Sequence, residues 1–377
     1  MKMAAEKSKI FMMLVFFSAH LFSDVSGWVD LGGQTTDNAY SDSRQLPDSG
    51  YIAGAGLDIK GRLFKKLYYS GGYSMNASGF FTNNLENEVF HSLFLCLRTT
   101  ALDGLEAEIR GGIDYSLLPN AAIYGYSDLN MKSKIKYFVL DHTALTALFS
   151  YEDKRYQDYN LDNKTLLLAL GLEQECSIYD VLYLKGSYGR ADYSEKYLYL
   201  DVLAGEPSYE NTLRVDMERI IDAGYSHEFS TAFGADLFYR FEALASNDNF
   251  LDWGPAQYET VNTTIGDETI INDYSSLESN SIFVKLRFGI EKTRLEINGS
   301  YGIKSYAGRI IKDSADTLSS VQEKRKDYQF LITANYVAPL SEEYLLKLIG
   351  GYEINNSNDL LYNYRKTSLG AIIEYIF

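Results

Sequence analysis

Proline and cysteine are scarce in this chain of 377 residues: there are 5 Pro and 2 Cys. No Pro-rich or Ser/Gly-rich tract marks a linker, so the chain reads as one domain. Helical periodicity is nearly absent. Val215–Ala223 alone admits a helical reading, and Thr212–Phe229 fits a long strand equally well. Beyond the N-terminal region no apolar run reaches the roughly 18 residues that a transmembrane helix needs. Positive charge is short as well, with 35 Lys and Arg against 51 Asp and Glu and a net charge of -16. That balance excludes a nucleic-acid partner, which would require a basic patch. It also argues against docking on anionic lipid through a polybasic face.

What is abundant is tyrosine and phenylalanine, 32 and 20 residues. Tyr suits a wall with one oily end and one wet end, as at a membrane interface. Lys2, Lys7 and Lys9 precede the apolar run Ile10–Phe17, and Val25-Ser26-Gly27 offers a small-residue cleavage site. This is the pattern of a secretory signal peptide, assigned to residues 1–27. Its apolar core is too short to span a bilayer, and no Cys follows it to carry a lipid. A membrane protein without spanning helices must be a closed barrel.

The remainder alternates with period two. In Leu67–Gly79 one face reads Leu67, Tyr69, Gly71, Tyr73, Met75, Ala77, and the other Tyr68, Ser70, Gly72, Ser74, Asn76, Ser78. Similar runs occur at Leu105–Tyr115, Asp128–Leu140, Thr231–Leu244, Ser281–Ile290, Thr293–Tyr306, Tyr344–Asn355 and Arg365–Phe377. Connections alternate in length. Short ones fall near Phe64–Lys66, Ala101–Gly104, Asp141–His142, Ser177–Asp180, Glu228–Ser230, Glu291–Lys292 and Pro339–Glu343. Long ones include Asp37–Ser49, Ser116–Ser127, Ser194–Asn211, Ala245–Leu277 and Ala307–Lys326. Short turns at the periplasm and long loops outside are how outer-membrane barrels are built. Counting from Trp28 predicts an all-β fold over residues 28–377: a single closed antiparallel transmembrane barrel of about sixteen strands. Cys96 and Cys176 then stand about four strands apart, roughly 15–20 Å, beyond the ~7 Å that a disulfide tolerates. Two unpaired thiols are expected.

The signal peptide, the repeated hairpins and the terminal strand closing on Glu374-Tyr375-Ile376-Phe377 together resemble bacterial outer-membrane β-barrels of the porin-like type. The stretch from Gly351-Tyr352 to Tyr364-Arg365 is similar to the last hairpin of many Tyr- and Asn-rich barrels. The resemblance implies an integral outer-membrane location, lipid and the barrel assembly machinery as partners, and an insertion signal carried by Tyr375 and Phe377. Related barrels are diffusion channels for small solutes or export components for polysaccharide and surface proteins. The resemblance leaves the oligomeric state open and implies no cofactor.

Parity places charge in the lumen. Glu106, Glu108, Arg110 and Asp114 would point inward from one strand, and Lys132, Lys134 and Lys136 from the next. Lys185, Asp236, Arg240, Glu242, Lys285, Arg287, Glu296, Lys304, Lys347 and Glu374 would join them further round. On the lipid side near the midplane each Lys or Arg would cost about 2–4 kcal/mol. The expected function is passive diffusion, with selectivity from this lumen and from loop Ala245–Leu277. That loop contains Asp248, Asp252, Trp253, Glu259, Asp267, Glu268 and Asp273 and no Lys or Arg. It could fold inward as a constriction or stand outside as a solvated acidic loop. It has no calcium-loop spacing, so no metal is expected. An acidic exterior would enrich cations at the mouth. The alternatives are an export barrel and a structural or adhesive barrel with a plugged lumen. No enzyme is expected: of 4 His, only His91, beside Ser92, lies toward the outer end of a strand, and adjacent strand residues face opposite ways.

Overall fold

A computed structural model describes residues 23–38, 45–84, 87–120, 125–156, 162–201, 206–247, 249–252, 269–272, 275–314, 317–318, 323–359 and 362–377. Its first eleven strands are β1 (Ser23–Thr36), β2 (Asp48–Phe64), β3 (Leu67–Phe80), β4 (Glu88–Leu102), β5 (Leu105–Leu117), β6 (Tyr126–Leu140), β7 (Thr143–Tyr156), β8 (Asn163–Ser177), β9 (Asp180–Asp201), β10 (Glu206–Ser230) and β11 (Phe233–Ser246). Then come β12 (Asn249–Asp252), β13 (Thr269–Asn272), β14 (Leu277–Ile290), β15 (Thr293–Ile310), β16 (Lys312–Ser314), β17 (Thr317–Leu318), β18 (Lys324–Pro339), β19 (Tyr344–Ser357) and β20 (Tyr364–Ile376). Sixteen of them, β1–β11, β14, β15 and β18–β20, form a closed antiparallel barrel in chain order. The pairs β12–β13 and β16–β17 are separate two-stranded hairpins.

The first and last strands pair from Trp28 opposite Ile376 to Thr36 opposite Ser368. The ladder ends on two further bonds: Gly27 N–H donates to Phe377 O at 2.8 Å, and Phe377 N–H to Gly27 O at 3.0 Å. Closure leaves no row of unpaired N–H and C=O groups, which hydrocarbon could not satisfy.

Alternation decides which face meets what. On β8 one face reads Leu166, Leu168, Leu170, Leu172, bounded by Lys164 and Gln174. Leu170 is 71% exposed, as an outward side chain should be when its surroundings are lipid. The same face continues round the ring through Phe149, Leu184, Ile221, Leu237 and Ile282. Aromatic rings border this apolar band. Near the short turns, Phe229 stacks on Phe233 at 4.7 Å, Phe233 on Phe288 at 4.9 Å, and Tyr375 on Phe377 at 5.8 Å. Toward the other rim stand Tyr73, Tyr115, Tyr151 and Tyr188. Two such girdles are the interfacial anchors of a transmembrane barrel.

One open reading is resolved and two details depart from the sequence reading. Val215–Ala223 lies wholly within strand β10. Segment Ser194–Asn211 is mostly paired: β9 continues to Asp201 and β10 resumes at Glu206, so it is a hairpin arm. The β10–β11 turn falls at 231–232, just past Glu228–Ser230. Most of the expected signal peptide, residues 1–22, lies outside the described residues, and β1 begins at Ser23, within the remainder. Both cysteines are free; Cys176 is exposed at the end of β8.

Candidate functional site

The face opposite the apolar band carries the charge. Between β5 and β6 the register sets Glu106 opposite Lys136, Glu108 opposite Lys134, Arg110 opposite Lys132, and Asp114 opposite Asp128. The ion pairs do not follow these rungs. Glu106 is held by Arg98 of β4 at 3.0 Å, and Lys136 reaches past β7 to Glu173 of β8. Arg110 lies over the Phe94 ring at 4.2 Å, and Asp114 accepts from Asn130 Nδ2 at 2.8 Å. Among the described residues Lys132 and Lys134 have no ion-pair partner. Nearer the short-turn end, a recess of about 730 Å³ is bordered by Lys60, Arg62, Arg98, Asp24 and Glu108.

The opposite side of the ring is charged but neutralised. Arg240 donates to Asp222 at 2.7 and 3.2 Å, and Lys185 approaches the same carboxylate at 3.7 Å. Arg287 bridges Asp236 at 2.9 Å and Glu228 at 2.5 Å. Lys285 holds Glu296 at 2.9 Å, with Arg294 at 3.3 Å from it, and Lys347 holds Glu374 at 2.6 Å. Glu242 and Lys304 lie on the same face by register. Phe238 and Phe283 stack between these ion pairs, with centroids 4.6 Å apart and planes 11° from parallel.

Asp222 is the residue that sequence reading missed. It is 4% exposed and joins two cations. It lies in the stretch whose periodicity was ambiguous; read as strand, parity would have put Glu218, Asp222 and Ser226 inward together. Asp128 was missed too: it is 8% exposed and its Oδ1 has no hydrogen-bond partner.

Other candidates are not brought together. His91 faces outward, bonded to Tyr73 Oη through Nδ1 at 2.8 Å, while Ser92 faces inward opposite Ser74 and Asp114. No cluster of metal-ligating side chains occurs among the described residues. In the long acidic loop, Asp252 ends β12, whereas Asp248, Trp253, Glu259, Asp267, Glu268 and Asp273 lie outside the described residues. Tyr375 and Phe377 lie at the closing seam, on the apolar side.

No protein-family profile and no curated protein sequence matches the chain. Solved structures do. A loop-deletion form of OmpT, an outer membrane protein of Vibrio cholerae, aligns with a TM-score of 0.50 at 10% identity, covering 94% of this chain and 99% of that one. In-vitro folded OmpT of Vibrio cholerae gives 0.50 at 9% identity, covering 94% and 97%. OpdO of Pseudomonas aeruginosa gives 0.48 at 12% identity, with 94% and 97% covered. At such identities the likeness is one of fold, and the closed sixteen-strand ring agrees with it: the chain has the fold of the bacterial outer-membrane β-barrels of porin-like type.

Proposed function

We propose that this barrel is an integral outer-membrane protein forming a porin-like channel for passive diffusion of small solutes. The observation that carries the reading is the inward face: a sixteen-strand ring whose lumen side bears ion pairs and unpaired lysines. Such charge needs water, and barrels of this strand number enclose an aqueous channel. The reading is non-enzymatic. A cleaved leader and insertion by the barrel assembly machinery belong to it, with Phe377 as the terminal signal.

The mechanism is electrostatic filtering. Opposed charges across a hydrated lumen set a transverse field that sorts solutes by charge and dipole. The acidic exterior concentrates cations at the mouth, while Lys132 and Lys134 work against cation passage within. Planar-bilayer recording of the refolded chain across a salt gradient should therefore show steady openings with a reversal potential on the cation side. The double variant Lys132→Gln with Lys134→Gln should move that potential further to the cation side. A folded barrel that stays silent would replace the channel by an export or structural reading.

The loop at 245–277 is expected to face outward. Protease added to intact cells should nick it and spare the β6–β7 turn at Asp141–His142. Cleavage at that turn with the loop protected would invert the topology.

A further inference from the structure

A second charged group lies on the lipid-facing side and not in the lumen. The outward rows of β7 to β9 are apolar until they reach the rim opposite the short turns, where they change together. On β7 the row passes from Phe149 and Tyr151 to Asp153 and Arg155; on β8, from Leu168 and Leu166 to Lys164. On β9 it passes from Tyr188 to Arg190 and Asp192, and β10 places Arg219 beside Tyr188. Register brings these residues to one sector: Asp153, Lys164 and Asp192 stand side by side, with Arg155 and Arg190 two positions from that line and Arg219, level with Tyr188, four positions from it. Adjacent strands are about 4.8 Å apart and each strand residue rises about 3.3 Å, so the cluster spans roughly 25 Å at its longest. The outward rows of β1 to β5 carry no Lys or Arg at all.

With Asp162, whose charge acts on Arg155, the sector holds four cations against three carboxylates, on a chain whose net charge is -16. Arg155 and Arg190 are tied to Asp153 and Asp192 two residues away, at 3.0 and 2.7 Å, and both arginines are exposed. Exposed pairs of this kind contribute little and yield readily to a stronger acceptor. Lys164 and Arg219 are exposed; Lys164 stands opposite Asp153 and acts on its carboxylate without a direct ion pair, and Arg219 has no ion-pair partner among the described residues. Tyr188, beside Arg219, and Tyr151, on the same rung as Arg190, mark the level where hydrocarbon gives way to headgroups. Guanidinium groups at that level match phosphate in both charge and fork geometry.

We infer that the outward rim of β7–β10 is a binding surface for the phosphorylated glycolipid headgroup of the outer leaflet, with Arg155, Lys164, Arg190 and Arg219 as its phosphate ligands. This sector differs locally from the acidic balance of the whole chain. The inference rests on the outer-membrane location and stands whether or not the lumen conducts.

The test is lipid retention by the refolded, detergent-solubilised chain, counted by native mass spectrometry. The probes are bisphosphorylated lipid A and the same lipid stripped of both phosphates. The bisphosphorylated form should be retained at least about tenfold more strongly. The variant Arg155→Gln, Lys164→Gln, Arg190→Gln, Arg219→Gln should abolish that preference while keeping the gel mobility of a folded barrel. Millimolar inorganic phosphate should not displace the lipid. Equal retention of the two lipids, an unaffected fourfold variant, or displacement by free phosphate would each overturn the inference. The two-lipid comparison needs no variant, so it decides the matter even if the fourfold variant fails to fold.

Discussion

Leu170→Arg should destabilise the barrel by about 2–4 kcal/mol, whereas Ser187→Arg, one strand away, should cost little. Leu170 stands mid-row among the outward leucines of β8 and is 71% exposed. A guanidinium there has only hydrocarbon around it and is too far from either interface for its side chain to reach water fully. Ser187 lies on the other face, opposite Ala169 and Ile220 and on the same row as Lys185. An arginine there enters hydrated lumen. The measurement is denaturant unfolding in liposomes, followed through the two tryptophans or by gel mobility. Equal costs at the two sites would mean that the inward and outward faces have been exchanged or that the lumen is dry.

Gly32→Val should block closure of the seam. A Cβ at Gly32 would fall inside the contact distance of the Ala371 carbonyl oxygen and 2.9 Å from Ile372 Cα, both backbone atoms of the partner strand. Backbone cannot rotate aside as a side chain can, so β1 and β20 must separate. Overpacking of this kind costs about 1–3 kcal/mol, a shift of about 5- to 150-fold in the equilibrium between closed and open forms. The open form exposes two strand edges to lipid, which adds to the loss. The contrast is Gly299→Ala on β15, where a Cβ meets nothing within 4 Å. It should be neutral or slightly stabilising, because glycine inside a strand costs about 0.5–1 kcal/mol relative to alanine. Heat-modifiable mobility of both variants after refolding checks this. A Gly32→Val barrel with wild-type mobility and midpoint would show that the seam is looser than its ladder suggests.

The architecture was largely legible because strand alternation is local. Each side chain of Leu67–Gly79 is assigned to a face by its own parity, with no knowledge of its neighbours, and the short turns punctuate the runs. Thr212–Phe229 was harder: Arg219 interrupts the outward apolar row and Ile220 the inward polar one, and three or four residues of spacing there mimic a helical stripe. Only pairing with β9 and β11 resolves it.

Partners in the lumen were not legible. Parity predicts that Glu106 and Lys136 share a face, and the register makes them a direct rung. Yet Glu106 goes to Arg98 and Lys136 to Glu173, because long side chains on a curved wall reach diagonally to whichever counter-charge the strand stagger brings near. Stagger belongs to the ring and not to any one strand. The same holds for Lys132 and Lys134, whose lack of an ion-pair partner depends on what β5 and β7 present beside them. The sequence by itself therefore determined the all-β class, the strand count, the two faces of each strand and the placing of long and short connections, all of which follow from residue order within one segment. The tertiary structure alone decided the register, the closing seam between Gly27 and Phe377, the pairing of Asp222 with two cations and the grouping of Arg155, Lys164, Arg190 and Arg219 on one rim, because each depends on how far neighbouring strands slide when sixteen of them must meet end to end.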